Sequence, residues 1–245
     1  MSQRLELKSG LLRRIFKTLL AGLCLASWTL VPAAWACREN AIVVFDASGS
    51  MALFRDGRPK IVTAHDAAAS VLPDVTQHRP TGLITYSGDR GPACADVKLR
   101  VRPRLGSSGA ILAELAKIKP SGATPLSDAV AMAAETLQSY GEPGIIVLVT
   151  DGLENCGGNA CAVGSKLQAM AANLRVHVIS FYLHGRAKEK ITCLADMTGG
   201  TYVHTSSLEA LRAALRRTLG CPRISHTTVD VLTAVRPPQS LSSPE

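Results

Sequence analysis

Aromatic residues are scarce in this chain, with 4 Phe, 4 Tyr and 2 Trp among 245 residues. A core would therefore be built mainly from Ala, Val, Leu and Ile. There is no Gly-x-Ser-x-Gly nucleophile elbow and no phosphate-binding Gly-x-x-x-x-Gly-Lys-Ser/Thr loop, which removes two common enzyme signatures. The six histidines (His65, His78, His177, His184, His204 and His226) are scattered without metal-ligand or triad spacing. No dense basic tract is present either. The formal net charge of +8 overstates the matter, because residues 1–36 hold five basic residues and one acidic one. Without them 27 − 5 = 22 Lys and Arg face 19 − 1 = 18 Asp and Glu, a net +4. That surplus makes no case for nucleic acid.

The first 36 residues read as an export signal, not as part of the fold. Arg4, Lys8, Arg13, Arg14 and Lys17 form a basic start, and an apolar run from Leu19 to Val31 follows. Pro32 and the small residues Ala34 and Ala36 then mark cleavage just before Cys37. The run is short for a membrane crossing, which needs about 20 residues. Arg13-Arg14 also gives a partial twin-arginine pattern, and a lipoprotein reading of Cys37 is weakened by Ala34 and the bulky Trp35. After cleavage Cys37, Cys94, Cys156, Cys161, Cys193 and Cys221 remain. An even number in an exported chain reads as up to three disulfides in an oxidising compartment, with 15 possible pairings. Thiolate zinc binding is the rival, but no second close pair or His pair accompanies Cys156 and Cys161.

Apolar runs alternate with helical patterns along the rest of the chain. Strands are expected at Ala41–Phe45, Thr81–Tyr86, Val97–Val101, Gly144–Thr150, Val176–Tyr182 and Tyr202–Val203, with Val97–Val101 at a sheet edge. Helices are expected at Lys60–Leu72 (closed by Pro73), Ile111–Ile118, Leu126–Leu137, Ala162–Leu174, Lys190–Met197 and Leu208–Leu219. Such alternation predicts an α/β fold: a mostly parallel central sheet with helices on both faces and one antiparallel edge strand. The expected domain runs from 37 to 221. Residues 222–245 form a Ser/Thr/Pro-containing tail in which Val229 to Val235 could add an edge strand.

Polar residues interrupt this apolar pattern at telling places. Asp46-Ala47-Ser48-Gly49-Ser50 follows the first strand at once, and Asp151-Gly152 follows the most apolar one. Ligands of open α/β sheets bind beyond the carboxyl ends of strands, where strand order reverses. Asp-x-Ser-x-Ser alone is a weak signal, and each of these residues could be only a helix cap or turn former. Combined with Gly122-Ala123-Thr124-Pro125-Leu126 and Leu148-Val149-Thr150-Asp151-Gly152, in this order, it becomes specific. On these stretches, and on Thr198-Gly199-Gly200-Thr201-Tyr202, the sequence resembles the von Willebrand factor A family, especially its bacterial exported members. The resemblance runs from about Cys37 to Leu219. It implies a doubly wound sheet and a metal-ion-dependent adhesion site made by Asp46, Ser48, Ser50, Thr124 and Asp151.

Those residue types suit a hard cation. Mg²⁺ prefers six oxygens at about 2.0–2.1 Å and gives up its waters reluctantly. Three hydroxyls supply neutral ligands and two carboxylates supply charge, leaving a coordination position for an outside oxygen. Mg²⁺ is the expected ion, with Mn²⁺ or Ca²⁺ as substitutes, and the expected function is binding rather than catalysis. The partner is a protein presenting an Asp or Glu carboxylate, in the periplasm or outside the cell. A rival is a Mg²⁺-dependent phosphatase of the haloacid dehalogenase type, whose site also follows a strand ending in Asp. That chemistry needs an acid two positions later, and position 48 is Ser. A scaffold with an occupied metal site and no ligand role is a third reading. The resemblance also suggests a terminus-joining Cys37–Cys221 disulfide; Cys156–Cys161 would then close a small loop, leaving Cys94 with Cys193.

Overall fold

The computed structural model describes residues 37, 39–88, 94–141, 143–170, 173–183 and 188–221, all within one unit spanning 35–222. The expected export signal and the C-terminal tail with its optional edge strand lie outside the described residues. The chain runs through β1 (Asn40–Asp46), a 3-10 turn (Gly49–Ala52), β2 (Phe54–Arg55), β3 (Arg58–Pro59) and α1 (Lys60–His78). Next come β4 (Thr81–Tyr86), β5 (Val97–Arg104), α2 (Ser108–Leu115) and α3 (Leu126–Gln138). β6 (Gly144–Thr150), α4 (Ala160–Ala169), β7 (Leu174–Phe181), α5 (Glu189–Thr198), β8 (Tyr202–Thr205) and α6 (Leu208–Leu219) complete it.

The main sheet has six strands in the order β5-β4-β1-β6-β7-β8. β5 pairs antiparallel with β4 at one edge, while the other neighbours are parallel. The fold is therefore the expected mixed α/β sheet. β1 and β6 read as unbroken apolar runs because both of their faces are covered. Ala41, Val43 and Phe45 join Ile145, Val147 and Val149 under α1, α2 and α6. Ile42 and Val44 join Ile146 and Leu148 under α3, α4 and α5. The period-two alternation of a strand thus sends successive residues into two separate cores.

Three local expectations change. α1 continues past Pro73 to His78. Pro73 is exposed, whereas Val75 and Thr76 beyond it are buried. Burial on the core side carries the helix over the hydrogen bond that proline removes on the water side. α4 spans Ala160–Ala169 rather than reaching Leu174, which already belongs to β7. Its start is fixed by Asn159, whose Oδ1 accepts the Ala162 N–H at 3.1 Å. The β2–β3 hairpin was not anticipated, although its Asp56-Gly57 turn is a strong hairpin signal. Both residues have positive φ, 50° and 75°, as a type I′ turn requires.

The disulfides are Cys37–Cys221, Cys94–Cys156 and Cys161–Cys193. The first joins the start of β1 to the end of α6, as the resemblance suggested. The suggested Cys156–Cys161 and Cys94–Cys193 bridges do not form. Gly157, at φ 84°, turns the chain away after Cys156, and Asn159 then starts α4. Cys161 in its first turn meets Cys193 on α5, with a Cα–Cα distance of 5.3 Å. Cys156 is left to the segment preceding β5, where Cys94 lies 5.4 Å away by the same measure.

Candidate metal centre

β1 and β6 are neighbours, yet the chain leaves β1 for β4 on one side and later returns to β6 on the other. Their carboxyl ends thus flank the point where strand order reverses, the ordinary ligand crevice of an open α/β sheet. Asp46 ends β1 and is wholly buried, and Asp151 directly follows β6 and is 6% exposed. Ser48 and Ser50 lie in and beside the 3-10 turn, and Thr124 immediately precedes Pro125 at the start of α3.

Side-chain contacts join four of the five residues directly. The Ser48 and Ser50 hydroxyls lie 3.0 Å apart, and Ser50 Oγ donates to Asp151 Oδ1 at 2.6 Å. Asp46 Oδ1 accepts the Ser48 N–H at 2.8 Å, and its Oδ2 accepts the Asp151 N–H at 3.2 Å. Thr124 completes the ring across Gly152. A methyl placed on Gly152 would stand 3.7 Å from Thr124 Oγ1 and 3.8 Å from Ser50 Oγ. The absent side chain leaves open space between two hydroxyls, a cradle suited to a small ion.

Several residues that brace this ring escaped the sequence reading. Tyr86 Oη donates to Thr150 Oγ1 at 2.9 Å, and Thr150 Oγ1 donates to Asp46 Oδ2 at 2.8 Å. This buried relay fixes the Asp46 carboxylate. Asn155 Oδ1 accepts the Thr124 N–H at 2.7 Å, tying the loop after β6 to the start of α3. Glu154 accepts the N–H groups of Ser127 and Cys156, and the Cys94–Cys156 bridge secures the same loop. Thr150 and Asn155 flank the Asp151-Gly152 pair and could have been sought there. Lys60 carried no such signal, yet its Nζ forms an ion pair with Asp151 Oδ2 while the side chain is only 6% exposed.

The electrostatics remain negative. Burial, and then the charge of Asp46, push the Asp151 carboxyl above the ordinary carboxylate range, against Lys60 and Ser50. Burial and the Asp46 charge also raise Tyr86 well above the usual phenol value. One ammonium does not offset two desolvated carboxylates, so further positive charge would be welcome here. Among the described residues no three His, Cys, Asp or Glu side chains are disposed around a metal. A cation here depends on hydroxyls to complete a two-carboxylate set. That donor set fits Mg²⁺ or Mn²⁺, which favour oxygen. Beside the ring, and lined by none of its five residues, a recess of about 380 Å³ opens between Glu154, Asn159, Lys190 and Ile191.

A sequence model of the von Willebrand factor type A domain matches residues 41–154. The chain is 30% identical over 172 residues to YwmC, an uncharacterized protein of Bacillus subtilis (strain 168), covering 66% of this chain and 75% of that one. This chain belongs to the von Willebrand factor type A domain family. The matched span contains all five residues of the ring. The fold is shared with a von Willebrand factor type A protein of Catenulispora acidiphila: TM-score 0.58, 17% identity, over 75% of this chain and 42% of that one. It is also shared with the pilus adhesin SpaC of Lactobacillus rhamnosus GG: TM-score 0.56, 17% identity, over 75% of this chain and 30% of that one. No helix among the described residues is long and apolar enough to cross a membrane.

Proposed function

We propose that this type A domain is a metal-dependent protein-binding module of the cell envelope or extracellular space. Asp46, Ser48, Ser50, Thr124 and Asp151 would hold one divalent cation, Mg²⁺ by default, and a protein partner would supply an Asp or Glu oxygen to it. The observation that carries the reading is the linked set of two buried carboxylates and the Ser48 and Ser50 hydroxyls, with the Thr124 and Ser50 hydroxyls both facing the space beside Gly152. The ion would supply Lewis acidity toward the partner's carboxylate. The chain's own residues do the rest. Tyr86 and Thr150 orient Asp46, Asn155 positions Thr124, and the 3-10 turn presents Ser48 and Ser50 on one side.

Export fits the same picture. Three disulfides imply an oxidising compartment, and residues 1–36 carry the pattern of a cleaved signal. An adhesin shares the fold, and interaction surfaces of this kind use a rigid scaffold to present loops.

Titration calorimetry with Mg²⁺ or Mn²⁺, followed by capture of envelope proteins with and without chelator, tests the proposal. Wild type is expected to bind a divalent ion at millimolar concentration or below and to retain its partner only without chelator. Asp46→Ala is expected to do neither. Partner capture that persists unchanged in chelator would refute metal dependence.

A further inference from the structure

Lys60 stands where simple helix electrostatics would not put it. It is the first residue of α1, at the positive end of the helix dipole, where an ammonium is disfavoured. It is also 5% exposed, and lysine is almost never so buried unless paired. Its backbone N–H donates to Leu53 O at 3.0 Å, which pins the root of the side chain where the hairpin closes. From that root the ammonium reaches inward to Asp151 Oδ2, while Asp151 Oδ1 faces Ser50. The chain thus carries its own cation on one of the two carboxylates of the proposed metal centre.

We infer that the Lys60 ammonium, held on Asp151 beside the ring, strengthens the coupling between divalent-ion binding and carboxylate binding beyond what coordination of the carboxylate by the ion gives. The inference rests on the metal-centre reading above and follows from counting charge. Asp46, Asp151 and Lys60 together carry a net −1. A divalent ion brings the assembly to +1, and a carboxylate from a partner then brings it to zero. Without Lys60 the two carboxylates would match the ion unaided, and an added carboxylate would leave a net −1. Lys60 therefore weakens binding of the bare ion by like-charge repulsion across a buried site. The same charge leaves the loaded centre with a positive surplus for which an acidic partner is the natural complement. Linkage makes the effect reciprocal: whatever factor the carboxylate adds to ion affinity, the ion adds to carboxylate affinity. Coordination of the carboxylate by the ion gives linkage of its own; a lysine that merely neutralised Asp151 for stability would add nothing to it.

The test is calorimetric titration of Mn²⁺ into the whole mature chain, in saturating acetate and in chloride matched for ionic strength. In wild type, acetate is expected to tighten the ion by roughly 5- to 100-fold. Lys60→Met is expected to bind the ion alone about tenfold or more tightly than wild type and to show a clearly smaller acetate effect. Lys60→Arg keeps the charge and is expected to keep the acetate effect. An unchanged or weakened ion affinity in Lys60→Met, or an acetate effect there as large as in wild type, overturns the inference. Should Lys60→Met fail to fold, Lys60→Gln is titrated in its place against the same two criteria, and wild-type ion binding indifferent to acetate overturns the inference on its own. A wild type that binds no divalent ion defeats the metal-centre reading and this inference together. One that binds the ion without acetate dependence defeats both the carboxylate part of that reading and the inference, whereas equal acetate effects in wild type and Lys60→Met defeat only the inference.

Discussion

The two ends of β1 solve opposite problems with similar residues. At the amino end, Glu39 meets Arg79 and Arg175, and Cys37 is bridged to Cys221. Arg79 is 2% exposed, yet its guanidinium is engaged through two of its three nitrogens. Nε donates to Leu219 O at 2.9 Å, and Nη1 donates to Glu39 O at 3.1 Å and to Glu39 Oε2 at 3.2 Å. The surplus positive charge there sits on Arg175, whose side chain is 48% exposed and solvated. At the carboxyl end the surplus is negative and has no such outlet, because Asp46, Asp151 and Lys60 are all buried. A closed, solvated network is a structural device. A desolvated, unbalanced one is a place prepared for another charge.

Breaking the amino end should give the largest stability loss. Arg79→Ala removes the buried guanidinium and leaves Leu219 O and the Glu39 carbonyl without their donor. The expected cost is about 3–5 kcal/mol, as for other buried pairs broken from one side. Replacing Cys37 and Cys221 by Ser should cost on the order of 4–5 kcal/mol, because the bridge closes a very long loop, with native strain reducing this. Both are read from urea unfolding midpoints. Neither change should alter Mn²⁺ affinity under conditions where the variant stays folded. If either did, the two ends would not be independent.

Breaking the carboxyl end should invert that pattern. Asp46→Ala should abolish divalent-ion binding in calorimetry. The acceptor for Thr150 Oγ1 and for the Ser48 and Asp151 N–H groups also disappears, at an expected cost of about 1–3 kcal/mol. Part of that loss is offset, because the repulsion between the two carboxylates goes too. Thr124→Ala should be milder, weakening the ion without removing charge. A loss of stability from Asp46→Ala as large as that from Arg79→Ala would make this end structural as well.

How much of this was legible beforehand depends on how far each interaction reaches along the chain. Asp46, Ser48 and Ser50 sit within five residues after one apolar run, a weak signal that became specific only together with the Thr124 and Asp151 motifs. Asp151 and Thr124 were found by motif and by the expectation that strand ends converge. Lys60 was invisible, since a lysine starting a helix after a hairpin looks like any solvated residue; only the fold turns it inward. Cys37–Cys221 formed as suggested, but the other two pairings failed for a related reason. Cys156 and Cys161 are close in sequence, but Gly157 and the Asn159 cap point them to different neighbours. Pro73 was misread because a local rule about proline was overruled by the burial of Val75 and Thr76.

A smaller effect tests the cradle itself. Gly152→Ala adds one methyl at ordinary contact distances from Thr124 Oγ1 and Ser50 Oγ. Gly152 is not among the residues with positive φ, so alanine should be tolerated, with stability unchanged or raised by about 0.4–1 kcal/mol. The methyl would nonetheless occupy space between two proposed ligands. Ion affinity is expected to fall clearly while the urea midpoint holds or rises. Full ion affinity in Gly152→Ala would mean that the ion does not lie between these hydroxyls.

The smallest effect expected belongs to the amino end and reads its positive surplus directly. His177 lies on β7 beside that end, and its Nδ1 accepts the Thr201 N–H at 3.1 Å. Burial first, then the charges of Arg175 and Arg79, hold its pKa below the ordinary value of 6.5, against Glu39. The folded state therefore favours neutral imidazole, with Nδ1 free to accept. The sign follows from that preference. The stability His177 contributes is complete above its unfolded pKa of about 6.5 and is lost as pH falls through the lower folded value. Partial exposure keeps the effect modest, so it should show as a shallow fall in urea midpoint on acidification, flattened in His177→Gln. NMR titration of the imidazole gives a cleaner reading. Arg175→Gln should raise the His177 pKa toward the ordinary value, because a nearby positive charge is gone while Glu39 remains. Arg175→Gln leaving that titration unmoved would show that the charge of Arg175 has no part in setting the His177 pKa. The contrast between a positive amino end and a negative carboxyl end would then rest on the carboxyl end only.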